Sequence, residues 1–183
     1  MPRLFAAIDL PDSLRREISE LTAYGLPGVA WVDSRQLHLS LRFIGEVDEQ
    51  MFEKLRTCLL RIQQQSFLLK LRGVGTFPNG KSPRIIWVGV ENSEPLVQLR
   101  NKIEHQINSL GIKGESRKFR PHITLGRVKS KKINRIADYL VHYNLFRSEP
   151  FSVEYFSLFS SLLTPSGAKY TKEAEYAFLL PTV

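Results

Sequence analysis

With 183 residues, 43% of them apolar, and a net charge of +8, the chain is long enough to bury a substantial core as one large domain or two intimate lobes. No run approaches the ~18 apolar residues of a membrane span, and Asp9 interrupts the amino end before a signal-peptide core is complete, so a cytoplasmic protein with no membrane partner is expected. Cys58 is the only cysteine, which excludes an intramolecular disulfide, a thiolate zinc site and a dithiol redox pair.

A first strand is predicted over Leu4 to Asp9, leading through Pro11-Asp12-Ser13 into a helix whose Leu14, Ile18 and Leu21 repeat at helical spacing. A strand follows near Gln36 to Gly45, then a helix around Asp48 to Gln63 with Phe52, Leu55, Leu59 and Ile62 on one side. Strands over Phe67 to Val74 and Arg84 to Val90 flank the turn-rich Pro78-Asn79-Gly80-Lys81-Ser82-Pro83. Ser93 suits the N-cap of a helix that turns Leu96, Leu99, Ile103, Ile107 and Leu110 to the core and ends at Gly111. A strand over Phe119 to Val128, a helix near Ile133 to Val141, and strands over Phe151 to Leu162 and Lys169 to Leu180 around Thr164-Pro165-Ser166-Gly167 complete the chain. The two halves repeat one order: helix, strand, helix, strand pair. An α+β fold is expected, with two pseudo-symmetric lobes, each an antiparallel sheet with helices on its outer face and a cleft between them. No compositional break divides them, so residues 1–183 are read as one bilobal domain, with the first strand and last hairpin free to cross over.

The equivalent strands of the two halves carry one pattern, His38-Leu39-Ser40-Leu41 and His122-Ile123-Thr124-Leu125. Alternate side chains of a strand share a face, so each segment presents an imidazole and a hydroxyl on one side and buries two apolar residues on the other. Paired histidines on one cleft suit acid/base chemistry at a phosphate: one imidazole takes a proton from attacking water, the other gives a proton to the departing alkoxide. Either could be the base. Ser40 and Thr124 hydroxyls can donate to the non-bridging oxygens. Arg42 continues the alternation of His38 and Ser40 and would add a guanidinium to that face. Arg127 has the opposite parity from His122 and needs a bulge or a strand end to reach the site.

Charge is concentrated around the second motif. From Lys113 to Arg135 there are nine basic residues (Lys113, Arg117, Lys118, Arg120, Arg127, Lys129, Lys131, Lys132, Arg135) against Glu115, a local +8 that leaves the rest of the chain neutral. Such a run suits a polyanionic partner. Four histidines with no cysteine pair and no HExxH or comparable carboxylate spacing nearby argue against a metal site, and His105 and His142 fall away from the apolar stripes of their helices. Trp87 and Phe43 suit core packing or cleft lining, and Phe119 could stack on a base.

These motifs resemble the doubled H-x-[ST]-x signature of the two-histidine (2H) phosphoesterases. The wider segments HLSLRFIGEV, GVGTFPNGKSPRIIWVGV, FRPHITLGRV, FSLFSSLLTPSGAKY and RLFAAIDLP are similar to the LigT-like RNA 2′,3′-cyclic phosphodiesterase branch, in that family's order. The resemblance implies a bilobal, metal- and cofactor-independent enzyme that opens a terminal 2′,3′-cyclic phosphate on RNA ends or nucleotides to a 2′-phosphate. It assigns His38 as proton donor and His122 as proton acceptor, and matches Arg127 to a basic position after the second motif. Ser40 stands where the family usually has threonine and keeps the hydroxyl. A monomer is expected. The alternatives from the sequence are 2′-5′ RNA ligation in the same cleft, which uses the same groups, and a module that binds an RNA end without chemistry.

Overall fold

In a computed structural model the described residues are 3–79, 82–130, 135–165 and 167–180. The order is β1 (Arg3–Asp9), α1 (Asp12–Thr22), β2 (Val29–Trp31), a 3-10 turn (Ser34–Gln36), β3 (His38–Glu46), α2 (Glu49–Leu59), β4 (Phe67–Leu69), β5 (Leu71–Asn79), β6 (Ser82–Val90), α3 (Glu94–Ser109), β7 (His122–Val128), α4 (Ile136–Tyr143), β8 (Phe151–Val153), β9 (Tyr155–Thr164) and β10 (Gly167–Ala177). It is an α+β fold whose main sheet is antiparallel throughout its registers.

The helical stripes read from the sequence are the buried ones: Leu14, Ile18 and Leu21 in α1, and Leu96, Leu99, Ile103 and Ile107 in α3. The Ser93 hydroxyl accepts the Leu96 N–H, and Gly111 closes α3 at φ +81°. Helix α2 stops at Leu59, short of Gln63, because its end tightens: the N–H groups of Arg61 and Ile62 donate three residues back, to the carbonyls of Cys58 and Leu59. The strand expected over Phe67 to Val74 divides at Lys70, so that β4 pairs with β8 while β5 enters the main sheet. Ile133, within the expected fourth helix, lies outside the described residues, as do Gly80 and Lys81 of one turn and Ser166 of the other.

The main sheet runs β10-β9-β1-β3-β7-β6-β5, with β2 added to β7. It consists of two four-stranded halves, and the seam between them is the register pair Leu39–Ile123 of β3 and β7. The hairpins are exchanged relative to the sequence repeat. β5–β6, which follows the first motif, pairs with β7, and β9–β10, which follows the second, closes on β1 beside β3. Helices α1 and α4 pack on the β7 half, and α3 packs on β3 with α2 against it. One continuous core joins these helices to the inward residues of both halves, including Leu39, Leu41, Ile123 and Leu125. No helix among the described residues is long and apolar enough to cross a membrane.

Candidate active site

Leu39 and Ile123 are fully buried on the helix-covered face, so His38, Ser40, His122 and Thr124 fall on the opposite, open face. Extending the antiparallel register one residue either way from Leu39–Ile123 sets His38 beside Thr124 and Ser40 beside His122. Each imidazole therefore faces the other motif's hydroxyl across the seam.

The two histidines are held alike. Nδ1 of His38 donates to the Gln36 carbonyl at 2.7 Å, and Nδ1 of His122 donates to the Arg120 carbonyl at 2.7 Å. A carbonyl oxygen only accepts, so both neutral rings carry hydrogen on Nδ1 and leave Nε2 as the free nitrogen. Two aromatic rings wall each imidazole. Phe5 and Tyr170 lie 5.0 and 5.3 Å from His38, and Phe77 and Trp87 lie 4.7 and 6.5 Å from His122, centroid to centroid. This burial pulls both imidazoles below their ordinary value of 6.5. At His38 the Gln36 carbonyl and Asp9 carboxylate oppose the fall, while Arg15 and His122 add to it. Beside His38 opens a cavity of about 370 Å³ whose lining includes Phe5, Arg35, Phe159, Lys169 and Tyr170.

Arg42 is not on this face. Ala7 pairs with Ser40 and Ala6 with Arg42, which makes Leu41 an extra residue in β3. That bulge reverses the alternation, so Leu41 and Arg42 both turn inward and Phe43 emerges on the open face, 58% exposed. Arg42, 4% exposed, pairs through Nε with Glu104 Oε2 at 2.7 Å and donates to the Lys113 carbonyl at 2.6 Å and to the Phe43 carbonyl. Glu104 also accepts the Glu115 N–H at 3.0 Å. The expected phosphate ligand is instead a brace for the chain that leads to His122.

The same irregularity brings Arg127 outward. Trp87 pairs with Thr124 and Ile86 with Gly126, so Leu125 is the extra residue of β7. Leu125 and Gly126 are buried and Arg127 is exposed. The bulge that Arg127 needed to share a face with His122 and Thr124 is present.

Phe119 lies under the Arg100 guanidinium at 5.6 Å, and Trp87 and Phe43 take their places on the open face. Sequence reading passed over Phe5, Tyr170 and Phe77, although the parity of β1 and β5 could have aligned two of them with the motif face; Asp9 and Arg15, beside His38, left no such signal. His105 and His142 are exposed on α3 and α4. No group of three or more His, Cys, Asp or Glu side chains gathers among the described residues.

The 2′-5′ RNA ligase superfamily matches residues 10–163. An RNA 2′,3′-cyclic phosphodiesterase of Archaeoglobus fulgidus is 35% identical over 92% of this chain and 96% of its own length. One of Methanocaldococcus jannaschii is 37% identical over the same shares, 92% and 96%. The crystal structure of Escherichia coli LigT complexed with 3′-AMP superposes with a TM-score of 0.81 at 30% identity, covering 97% of this chain and 99% of that one. With its family match and its relatives in agreement over nearly the whole length, the chain belongs to the 2′-5′ RNA ligase superfamily.

Proposed function

We propose that the protein hydrolyses the 2′,3′-cyclic phosphate at an RNA end to a 2′-phosphate, as a cytoplasmic monomer, using two imidazoles and no metal. The observation that carries this reading is the pair of Nδ1-tethered histidines on one open face, with Ser40 and Thr124 interleaved between them across a single seam. Water attacks phosphorus as His122 Nε2 takes its proton. The bond from phosphorus to O3′ breaks, and protonated His38 gives its proton to the departing oxygen. A bound phosphate anion favours that extra proton on His38, against the burial that disfavours it in the free protein. The hydroxyls of Ser40 and Thr124 donate to the non-bridging oxygens, and Arg127 supplies positive charge on the same face. The activity borne by the relatives' names and the basic run around His122 support an RNA substrate.

The test is a short RNA ending in a 2′,3′-cyclic phosphate. A 2′-phosphate product is expected, with His38→Ala and His122→Ala each lowering turnover ~10²–10⁴-fold while RNA binding persists. A 3′-phosphate product, or near-wild-type turnover in either variant, overturns the reading. Binding without any product would assign an RNA-end module instead. The family's name favours one second reading, the joining of a cyclic phosphate end to a free 5′-hydroxyl end, in which that hydroxyl replaces water as the nucleophile and O3′ again departs. Adding that second end and looking for a 2′-5′ linkage separates the two.

A further inference from the structure

His38 owes its orientation to one backbone oxygen, that of Gln36, and Gln36 closes the 3-10 turn Ser34–Gln36. A turn of three residues has little rigidity of its own. Asp33 caps it by accepting the Arg35 N–H, and what ties it to the neighbouring helix is Arg15 of α1, whose side chain is 15% exposed. Its Nε donates to the Leu10 carbonyl at 3.0 Å, and its Nη1 donates to the carbonyls of Ser34 at 2.7 Å and Leu37 at 2.9 Å. Its Nη2 lies 3.7 Å from Asp9 Oδ1, and Asp9 Oδ2 meets Lys172 Nζ at 2.6 Å. The two carbonyls held by Nη1 bracket Gln36. A second tie comes from β10, where the Gln36 amide donates to the Ala168 carbonyl at 2.6 Å.

We propose that Arg15 is the positioning residue of His38: one guanidinium joins the end of β1 to both sides of the Ser34–Gln36 turn and so fixes the carbonyl that keeps hydrogen on Nδ1 and Nε2 free. Only a planar fork with several fixed donors can meet three carbonyls and a carboxylate together; an ammonium carries its donors on one atom. His122 is an internal control. Its carbonyl partner, Arg120, lies in a different segment, whose start is held from the far face of the sheet by Arg42 at the Lys113 carbonyl.

The kinetic arm rests on the proposed phosphodiesterase reading; the spectroscopic arm does not. Histidine ring nitrogens are observed by NMR in the full chain without substrate, with His38→Gln and His122→Gln giving the assignments. In the wild type both rings should report the Nδ1–H tautomer when neutral. In Arg15→Lys and Arg15→Gln the His38 signals should shift toward a tautomer mixture while those of His122 stay, and kcat should fall ~10–100-fold with KM within twofold. An Nε2–H tautomer at His38 in the wild type overturns the proposal, even if neither variant folds. So does a folded Arg15→Lys with unchanged kcat, or His38 and His122 signals that move together. If wild-type protein turns over no cyclic phosphate at all, the function reading fails while the tautomer result still decides the role of Arg15.

Discussion

Leu39 on β3 and Ile123 on β7 are register partners across the seam of the sheet, both fully buried, and each directly follows a histidine of the site. The apolar pair that holds the two halves together thereby sets the spacing of the two imidazoles.

Truncating this pair should damage both properties at once. Leu39→Ala or Ile123→Ala removes branched carbons from the core and should cost about 2–5 kcal/mol, read as a lowered denaturation midpoint. At temperatures where the variant stays folded, kcat should fall because the halves can shift. A loss of stability with wild-type kcat would show that the halves are aligned by other contacts.

Burial of both imidazoles predicts the direction of two pH effects. Their folded values lie below 6.5, so the unfolded chain binds protons that the folded chain resists. The stabilisation is present above about 6.5, the ordinary histidine value, and is lost as pH falls through the lowered folded values. His38→Gln with His122→Gln should flatten the stability profile in that window, measured by urea unfolding from pH 7.5 to 5. The acid limb of kcat/KM should lie below 6.5 in the free enzyme for the same reason.

Arg42 and Arg127 should fail in opposite ways. Removing Arg42 leaves the mostly buried Glu104 carboxylate with Arg100, 3.6 Å away, as its remaining cation, and Arg42→Met should destabilise the protein by about 3 kcal/mol. Arg127→Gln should leave the unfolding midpoint unchanged and raise KM for cyclic-phosphate RNA several-fold, with a shallower salt dependence. Comparable stability losses in the two variants would contradict their placement on opposite faces.

Gly126 stands in the second bulge with no room for a side chain. A Cβ there would lie 2.7 Å from Val29 Cγ1 and 2.8 Å from Trp31 Cε3. Gly126→Ala should cost about 1–3 kcal/mol through displacement of β2, measurable by thermal unfolding. A neutral effect would mean that β2 yields without loss.

What the sequence made legible was local and periodic. Leu14, Ile18 and Leu21 mark α1 because a helix repeats every 3.6 residues, and Ser93 marks the start of α3 because its hydroxyl meets a free N–H there. His38 with Ser40 and His122 with Thr124 share a face because strands alternate every second residue. The bulges at Leu41 and Leu125 were not legible, since an extra residue in a ladder exists only relative to its partner strand. Extrapolating the alternation past Leu41 therefore put Arg42 on the wrong face, while Arg127 reached the right one through the very bulge its parity required. Strand β2, only Val29–Trp31, was too short for any period to register, and the breaks at Lys70 and Glu154 that set β4 and β8 apart from the strands after them leave no periodic mark. The exchange of hairpins depends on pairings distant in sequence, such as Ile86 with Gly126 and, more than a hundred residues apart, Phe5 with Phe159, which no local pattern encodes.

That exchange governs how the molecule can be built. Strand β1 is enclosed between β3 and β9, so a chain emerging from the ribosome holds its first strand half-satisfied until residues beyond Tyr155 have been made. High contact order of this kind slows the last folding step and ties the amino-terminal strand's protection to the carboxyl-terminal hairpin. Cutting the polypeptide midway would leave two fragments, each lacking the β-hairpin that completes its own sheet, and co-expressed fragments rather than either piece alone would be the minimal system that regenerates the cleft.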